Sequence, residues 1–136
     1  MRNRIVLFVA VLALVAGIAV FGLTRQATQT ATPVVSQEDV LELIDAGDDI
    51  LILDVRTQRE FDGGRVPGAV LIPHAEVMAR IGEIIEFMDK PVVVYCEAGG
   101  RAGRAESDLY EAGFTNLLHL EGDMRAWKAN ARPLEK

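Results

Sequence analysis

Cys96 is the only cysteine in the chain, and the residues around it are of the kinds that make a thiol reactive. Val92-Val93-Val94-Tyr95 is a continuous apolar run. Glu97-Ala98-Gly99-Gly100 follows the cysteine, and Arg101 and Ala102 lead into a segment with helical spacing. The thiolate is the nucleophilic form, so such a site needs positive potential close to the sulfur. Two glycines let the backbone curl and turn several N–H groups inward, and the positive end of the following helix adds to them. Arg101 and Arg104 contribute formal charge nearby. The chemistry this suits is covalent: the thiolate takes up a group and hands it on. A free cysteine is ordinarily a small buried apolar residue. Its place here, at the end of a strand and before a helix, is where open parallel sheets bind ligands.

Other polar residues have milder readings. Asp54 closes a second apolar run, Ile50-Leu51-Ile52-Leu53; it either faces the loop or, the favoured reading, forms a structural ion pair. Arg56 and Glu60 are four apart in a turn-rich segment and are expected to pair with each other. Arg101 either holds the loop through a carboxylate or touches substrate. Trp127 is expected in the core. A single cysteine rules out an internal disulfide and a cysteine-rich zinc site. His74 and His119 lack ligand spacing and are expected at the surface or a strand edge. No metal and no cofactor are expected.

Strands and helices must alternate to place that loop. Val34-Val35 predicts a short strand, and Ser36 caps a helix whose apolar face is Val40, Leu41 and Ile44 and whose end is Gly47. Ile50 to Leu53, Ala69 to Ile72 and Val92 to Tyr95 read as buried strands. Helices are predicted over about Ala75 to Phe87 and Ala102 to Glu111, the latter stopped by Gly113. Leu117 to Leu120 is the last strand, before a short helix holding Met124 and Trp127. This order predicts an α/β domain with a parallel sheet and helices on both faces.

The chain also carries a segment foreign to that domain. Met1-Arg2-Asn3-Arg4 is basic, and Ile5 to Leu23 is an uncharged run of 19 residues. As a helix it would be about 28 Å long, close to the hydrocarbon thickness of a bilayer. Residues 1–23 are therefore expected to form an N-terminal anchor or signal segment, residues 24–32 a polar linker, and residues 33–136 the domain. Arg2 and Arg4 place the N-terminus in the cytoplasm and the domain outside it, on a periplasmic or extracellular face. A cleaved signal peptide is the alternative, but no clear small-x-small site follows the run. From Pro33 onward there are eleven basic and twenty acidic residues, a formal charge of −9. That field repels nucleic acid and anionic lipid, so no nucleic-acid partner is expected.

Several motifs together resemble the rhodanese-like family of sulfurtransferases, over Val34 to about Pro133. Leu53-Asp54-Val55-Arg56 with Glu60-Phe61 is similar to the family's Asp-Val-Arg, Glu-aromatic signature. Gly64-Arg65-Val66-Pro67-Gly68-Ala69 with Ile72-Pro73 is similar to its Gly-His-Ile-Pro-Gly-Ala stretch. Cys96 to Arg101 resembles the active-site loop of Cys, four residues and Arg, and Leu120-Glu121-Gly122 with Trp127 the closing segment. Arg65 stands where the family has His, Leu71 where Asn is common, and Asp123 where a second Gly is common. These departures bear on substrate or partner rather than on fold.

The resemblance implies that Cys96 takes a sulfane sulfur from a small donor or a protein persulfide and passes it to a thiol acceptor. The loop Glu97, Ala98, Gly99, Gly100, Arg101, Ala102 would cradle the sulfur, with Asp54, Arg56 and Glu60 in support. Glu97 and Ala98 bring no positive charge where thiosulfate-using members carry Arg or Lys, so thiosulfate is expected to be a poor donor. A persulfide carrier or docking module is the alternative of another class. A phosphatase ranks lower, because the related phosphatase loop has one more residue between Cys and Arg.

Overall fold

A computed structural model describes residues 31–136. The expected anchor over 1–23 and most of the linker lie outside the described residues. Among the described residues no helix is long and apolar enough to cross a membrane. Thr32–Lys136 forms a compact unit.

Five strands build one parallel sheet: β1 (Val34–Val35), β2 (Leu51–Asp54), β3 (Val70–Leu71), β4 (Val92–Tyr95) and β5 (Leu117–Leu120). They lie in the order β1-β5-β4-β2-β3, which puts β4 in the middle. Leu51 to Asp54 pair with Val92 to Tyr95, and Val92 to Val94 with Leu117 to His119. Among the described residues the α-helices are α1 (Gln37–Ala46), α2 (Gln58–Asp62), α3 (Gly100–Glu111) and α4 (Asp123–Ala129).

Side chains alternate across the sheet, and both faces are covered. Leu51, Leu53, Val92, Val94 and Cys96 point to one face, where Ala102, Ala105 and Leu109 of α3 pack on them. Ile52, Val93 and Tyr95 point to the other, against Val40 of α1 and Met124 and Trp127 of α4. This is why the strands read as unbroken apolar runs. Trp127 is fully buried, and its indole N–H donates to the carbonyl of Pro133 at 2.8 Å. The predicted helix caps form: Ser36 accepts from the N–H of Asp39, and Gly47 closes α1 in the left-handed region at φ 70°.

Three expectations about elements are corrected. The stretch from Ala75 to Phe87 is a chain of 3-10 turns, at His74–Glu76, Ile81–Glu83 and Ile85–Phe87. Gly82 and the β-branched Ile81, Ile84 and Ile85 disfavour a continuous helix. Short turns still bury Val77 and Ile84, so these apolar side chains reach the core without one. The strand after Ala69 is only two residues at the sheet edge, with Val70 45% exposed, because β2 alone pairs with it. Helix α3 begins at Gly100, two residues earlier than expected, since Gly99 enters it at φ 104°.

Candidate active site

Cys96 directly follows central strand β4, and the loop from Glu97 to Gly99 carries the chain into α3. Buried at 1% exposure, its Sγ accepts a hydrogen bond from the N–H of Gly99 at 3.0 Å. The positive φ of Gly99 brings that N–H back over the sulfur, a conformation side chains oppose. Helix α4 fixes the rest of the turn. The N–H groups of Met124 and Arg125 donate to the carbonyls of Cys96 and Glu97, each at 3.0 Å. In a trans peptide the carbonyl and the next N–H point opposite ways. Tying those two carbonyls to α4 therefore aims the N–H groups of Glu97 and Ala98 away from it.

Arg101 follows the loop in the first turn of α3. Its two terminal nitrogens donate to the two carboxylate oxygens of Glu60, at 2.7 and 2.8 Å. Glu60 also completes a capping box with Thr57 at the start of α2, which helps orient its carboxylate toward Arg101. These bonds hold its carboxyl far below the usual carboxylate range, with the Arg101 bond the largest cause. The same partnership raises Arg101. Arg101 thus sits on a carboxylate, and Cys96 beside it contributes to the same upward shift after Glu60.

Arg56 does not pair with Glu60, which corrects the expected local pair. It lies folded back and fully buried on Asp54, with Nε 3.0 Å and Nη2 2.7 Å from the carboxylate. Nη2 also donates to the carbonyl of Gly64 at 2.8 Å. The hydroxyl of Tyr95 donates to Asp54 at 2.7 Å and accepts from the N–H of Val66 at 3.2 Å. Burial pushes Arg56 down, yet the bonds to Asp54 outweigh it, and Arg56 is net raised. Burial, then the Asp54 charge, drives the Tyr95 hydroxyl well above its ordinary value. Asp54 and Arg56 thus form a buried ion pair fixed to Tyr95 and to the Gly64 carbonyl. The remaining nitrogen, Nη1, is the one buried side-chain polar atom without a hydrogen bond among the described residues, and it lies 3.6 Å from Glu97. Lys128 of α4 reaches the same Glu97 oxygen at 3.4 Å.

A second polar group was missed from sequence. His119 of β5 bonds Glu106 of α3 through Nδ1 and Asp123 of α4 through Nε2, the latter at 2.9 Å. It is neither at the sheet edge nor free at the surface, because β5 lies between β1 and β4. Hydrogen bonds to Asp123, then to Glu106, push its pKa up to about 10. Asp123 in turn accepts the N–H of Cys96 at 2.9 Å. Its place where the resemblance expects glycine was the only signal of this in the sequence. Arg104, read as a source of potential, is exposed.

Comparison with known proteins agrees with this geometry. The Rhodanese-like domain family matches residues 36–130. A sulfurtransferase of Allochromatium vinosum is 30% identical over 74% of this chain and 92% of its own length. The thiosulfate sulfurtransferase GlpE of Pseudoalteromonas translucida is 30% identical over 70% of this chain and 88% of its own. A solved Rhodopseudomonas palustris protein, named a possible tyrosine phosphatase, superposes with a TM-score of 0.68 at 27% identity. That match covers 76% of this chain and 85% of the other. The match over 36–130, the parallel sheet and the cysteine loop at its central strand agree, and the chain belongs to the rhodanese-like domain family.

Proposed function

We propose that this domain is a sulfurtransferase that moves a sulfane sulfur through a persulfide on Cys96. The observation that carries the reading is the Gly99 N–H donated to Sγ at 3.0 Å, in a loop whose carbonyls are tied back to α4. A donor held there also stabilises the negative sulfur of a persulfide. The Cys96 thiolate attacks the terminal sulfur of a donor R–S–SH. A bond forms from Sγ to that sulfur, the donor S–S bond breaks, and R–S⁻ leaves with the electron pair. An acceptor thiolate then attacks the outer sulfur of the Cys96 persulfide, forming its own S–S bond and restoring the Cys96 thiolate. No net oxidation occurs, and no cofactor enters.

Two further statements belong to this proposal. Thiosulfate is a poor donor, because the first loop residue is the acidic Glu97 and Arg101 is committed to Glu60. A small persulfide or a protein-borne sulfur is the working donor. Residues 5–23 anchor the chain in a membrane, with the domain on the outer side, a reading supported by the sequence of that run.

A phosphatase reading is disfavoured. The loop has four residues between Cys96 and Arg101, and Glu60 already occupies the guanidinium that would clasp a phosphate. Mass spectrometry after incubation with a small persulfide tests the main reading. One added sulfur, ~32 Da, is expected on the unaltered protein and none on Cys96→Ser, since covalent transfer needs its nucleophile. An unmodified Cys96, or an active Ser variant, overturns it.

A further inference from the structure

Asp123 spends both carboxylate oxygens beneath the cysteine loop. Oδ1 accepts the N–H of the nucleophile itself, Cys96, at 2.9 Å. Oδ2 accepts from Nε2 of His119 at 2.9 Å, and the other ring nitrogen of His119 reaches Glu106. Asp123 is 3% exposed and sits at φ 53°, a left-handed backbone that non-glycine residues seldom adopt. A Cβ built on Gly99 would lie 3.1 Å from Oδ2 and 3.7 Å from Nε2 of His119. The carboxylate and the imidazole therefore form the surface on which Gly99 rests, and Gly99 is the residue whose N–H reaches Sγ. Through His119 the same carboxylate is linked to α3, the helix that the loop enters.

We propose that Asp123, oriented by His119 and Glu106, is a positioning residue for sulfur transfer that holds Cys96 and Gly99 with the Gly99 N–H on Sγ. The role rests on the sulfur-transfer reading, but the geometry it fixes is measurable without transfer. Asp123 touches neither the sulfur nor a donor; it acts through the Cys96 amide and the underside of Gly99. A carboxylate suits the task because one oxygen faces each neighbour. Asparagine preserves this pattern, since its oxygen can accept from Cys96 and its NH2 can donate to a neutral His119 that keeps its bond to Glu106. Asparagine also tolerates the left-handed backbone. Glycine fits that backbone without strain but leaves the Cys96 N–H without its acceptor and removes the support under Gly99.

The test compares Asp123→Gly, Asp123→Asn and the unaltered full-length chain in detergent. Single-turnover sulfur loading from a small persulfide is followed as its concentration is raised, and the Gly99 amide proton is followed by NMR. Loss of positioning should lower the plateau rate of Asp123→Gly about ten- to a hundredfold, with little change in the half-saturating concentration. The Gly99 amide should lose its hydrogen-bonded shift and exchange faster. Asp123→Asn should stay within about threefold of the unaltered chain on both readouts, as a retained geometry requires. A Gly variant with an unchanged Gly99 amide, or an Asn variant as impaired as the Gly variant, overturns the proposal. If the unaltered chain takes up no sulfur, the sulfur-transfer reading fails, and the Gly99 amide alone decides whether Asp123 holds the loop.

Discussion

Glu97 sits 3.6 Å from Arg56 Nη1, a buried nitrogen with no hydrogen bond of its own. The acidic residue that opens the loop is thus a second counter-charge for a guanidinium whose other nitrogens hold Asp54. Lys128 meets the same carboxylate from the solvent side. Glu97 is one-third exposed, so an entering donor meets its charge, screened in part by water.

This arrangement makes donor choice depend on Glu97. Removing its charge as Glu97→Gln leaves the Arg56 field unopposed by the loop. Thiosulfate turnover should then rise about tenfold in kcat/KM, the factor given by relief of ~1.4 kcal/mol of like-charge repulsion at a partly exposed site. Use of a small persulfide should change by less than about threefold, because it carries at most one charge where thiosulfate carries two. Steady-state comparison of the two donors on both proteins decides the matter. Efficient thiosulfate turnover by the unaltered protein, or no gain in the variant, would sink the idea.

Stability should fall at alkaline pH because of His119. Its pKa is about 10 in the fold, against an ordinary value of 6.5, through Asp123 first and Glu106 second. A raised pKa means that the imidazolium stabilises the fold fully below about pH 6.5. That contribution shrinks as the pH climbs through the window toward about 10. The facing charges are both acidic, one from α3 and one from α4, so deprotonation leaves two carboxylates opposed across a neutral ring. Urea unfolding at stepped pH should show the midpoint dropping across this window, and the drop should flatten in His119→Gln. An equal drop in that variant would assign the effect to other groups.

The full-length protein should fractionate with membranes, with its C-terminus open to protease only from the outer side. Ile5 to Leu23 has the length and the lack of charge for this, and Arg2 and Arg4 would set the direction. Recovery of a soluble form starting beyond Leu23 would show instead that the segment is a cleaved signal.

The sequence by itself determined what depends on neighbours along the chain. Val92 to Tyr95 had to be a strand covered on both faces, and Gly99 and Gly100 had to turn the chain into a helix. Ser36 and Gly47 mark the ends of α1, and Cys96 falls at a strand's carboxyl end from local pattern alone. Even so, local pattern misled where several structures satisfy it. The stretch from Ala75 to Phe87 can bury Val77 and Ile84 as one helix or as a series of 3-10 turns, and Gly82 with its β-branched neighbours favours the turns.

Only the tertiary structure decided which charges meet. Glu60 looked like a partner for Arg56 four residues away, but the capping box turns it toward Arg101, 41 residues on. Arg56 instead folds back on Asp54, two residues before it. Asp123 is bonded to the N–H of Cys96, 27 residues earlier in the chain, because the connection through β5 returns α4 beneath the loop. Short-range propensity acts over a turn or two of chain. A buried carboxylate, by contrast, takes whatever donor the packed elements bring within about 3 Å, and that choice is made by the crossovers of the sheet.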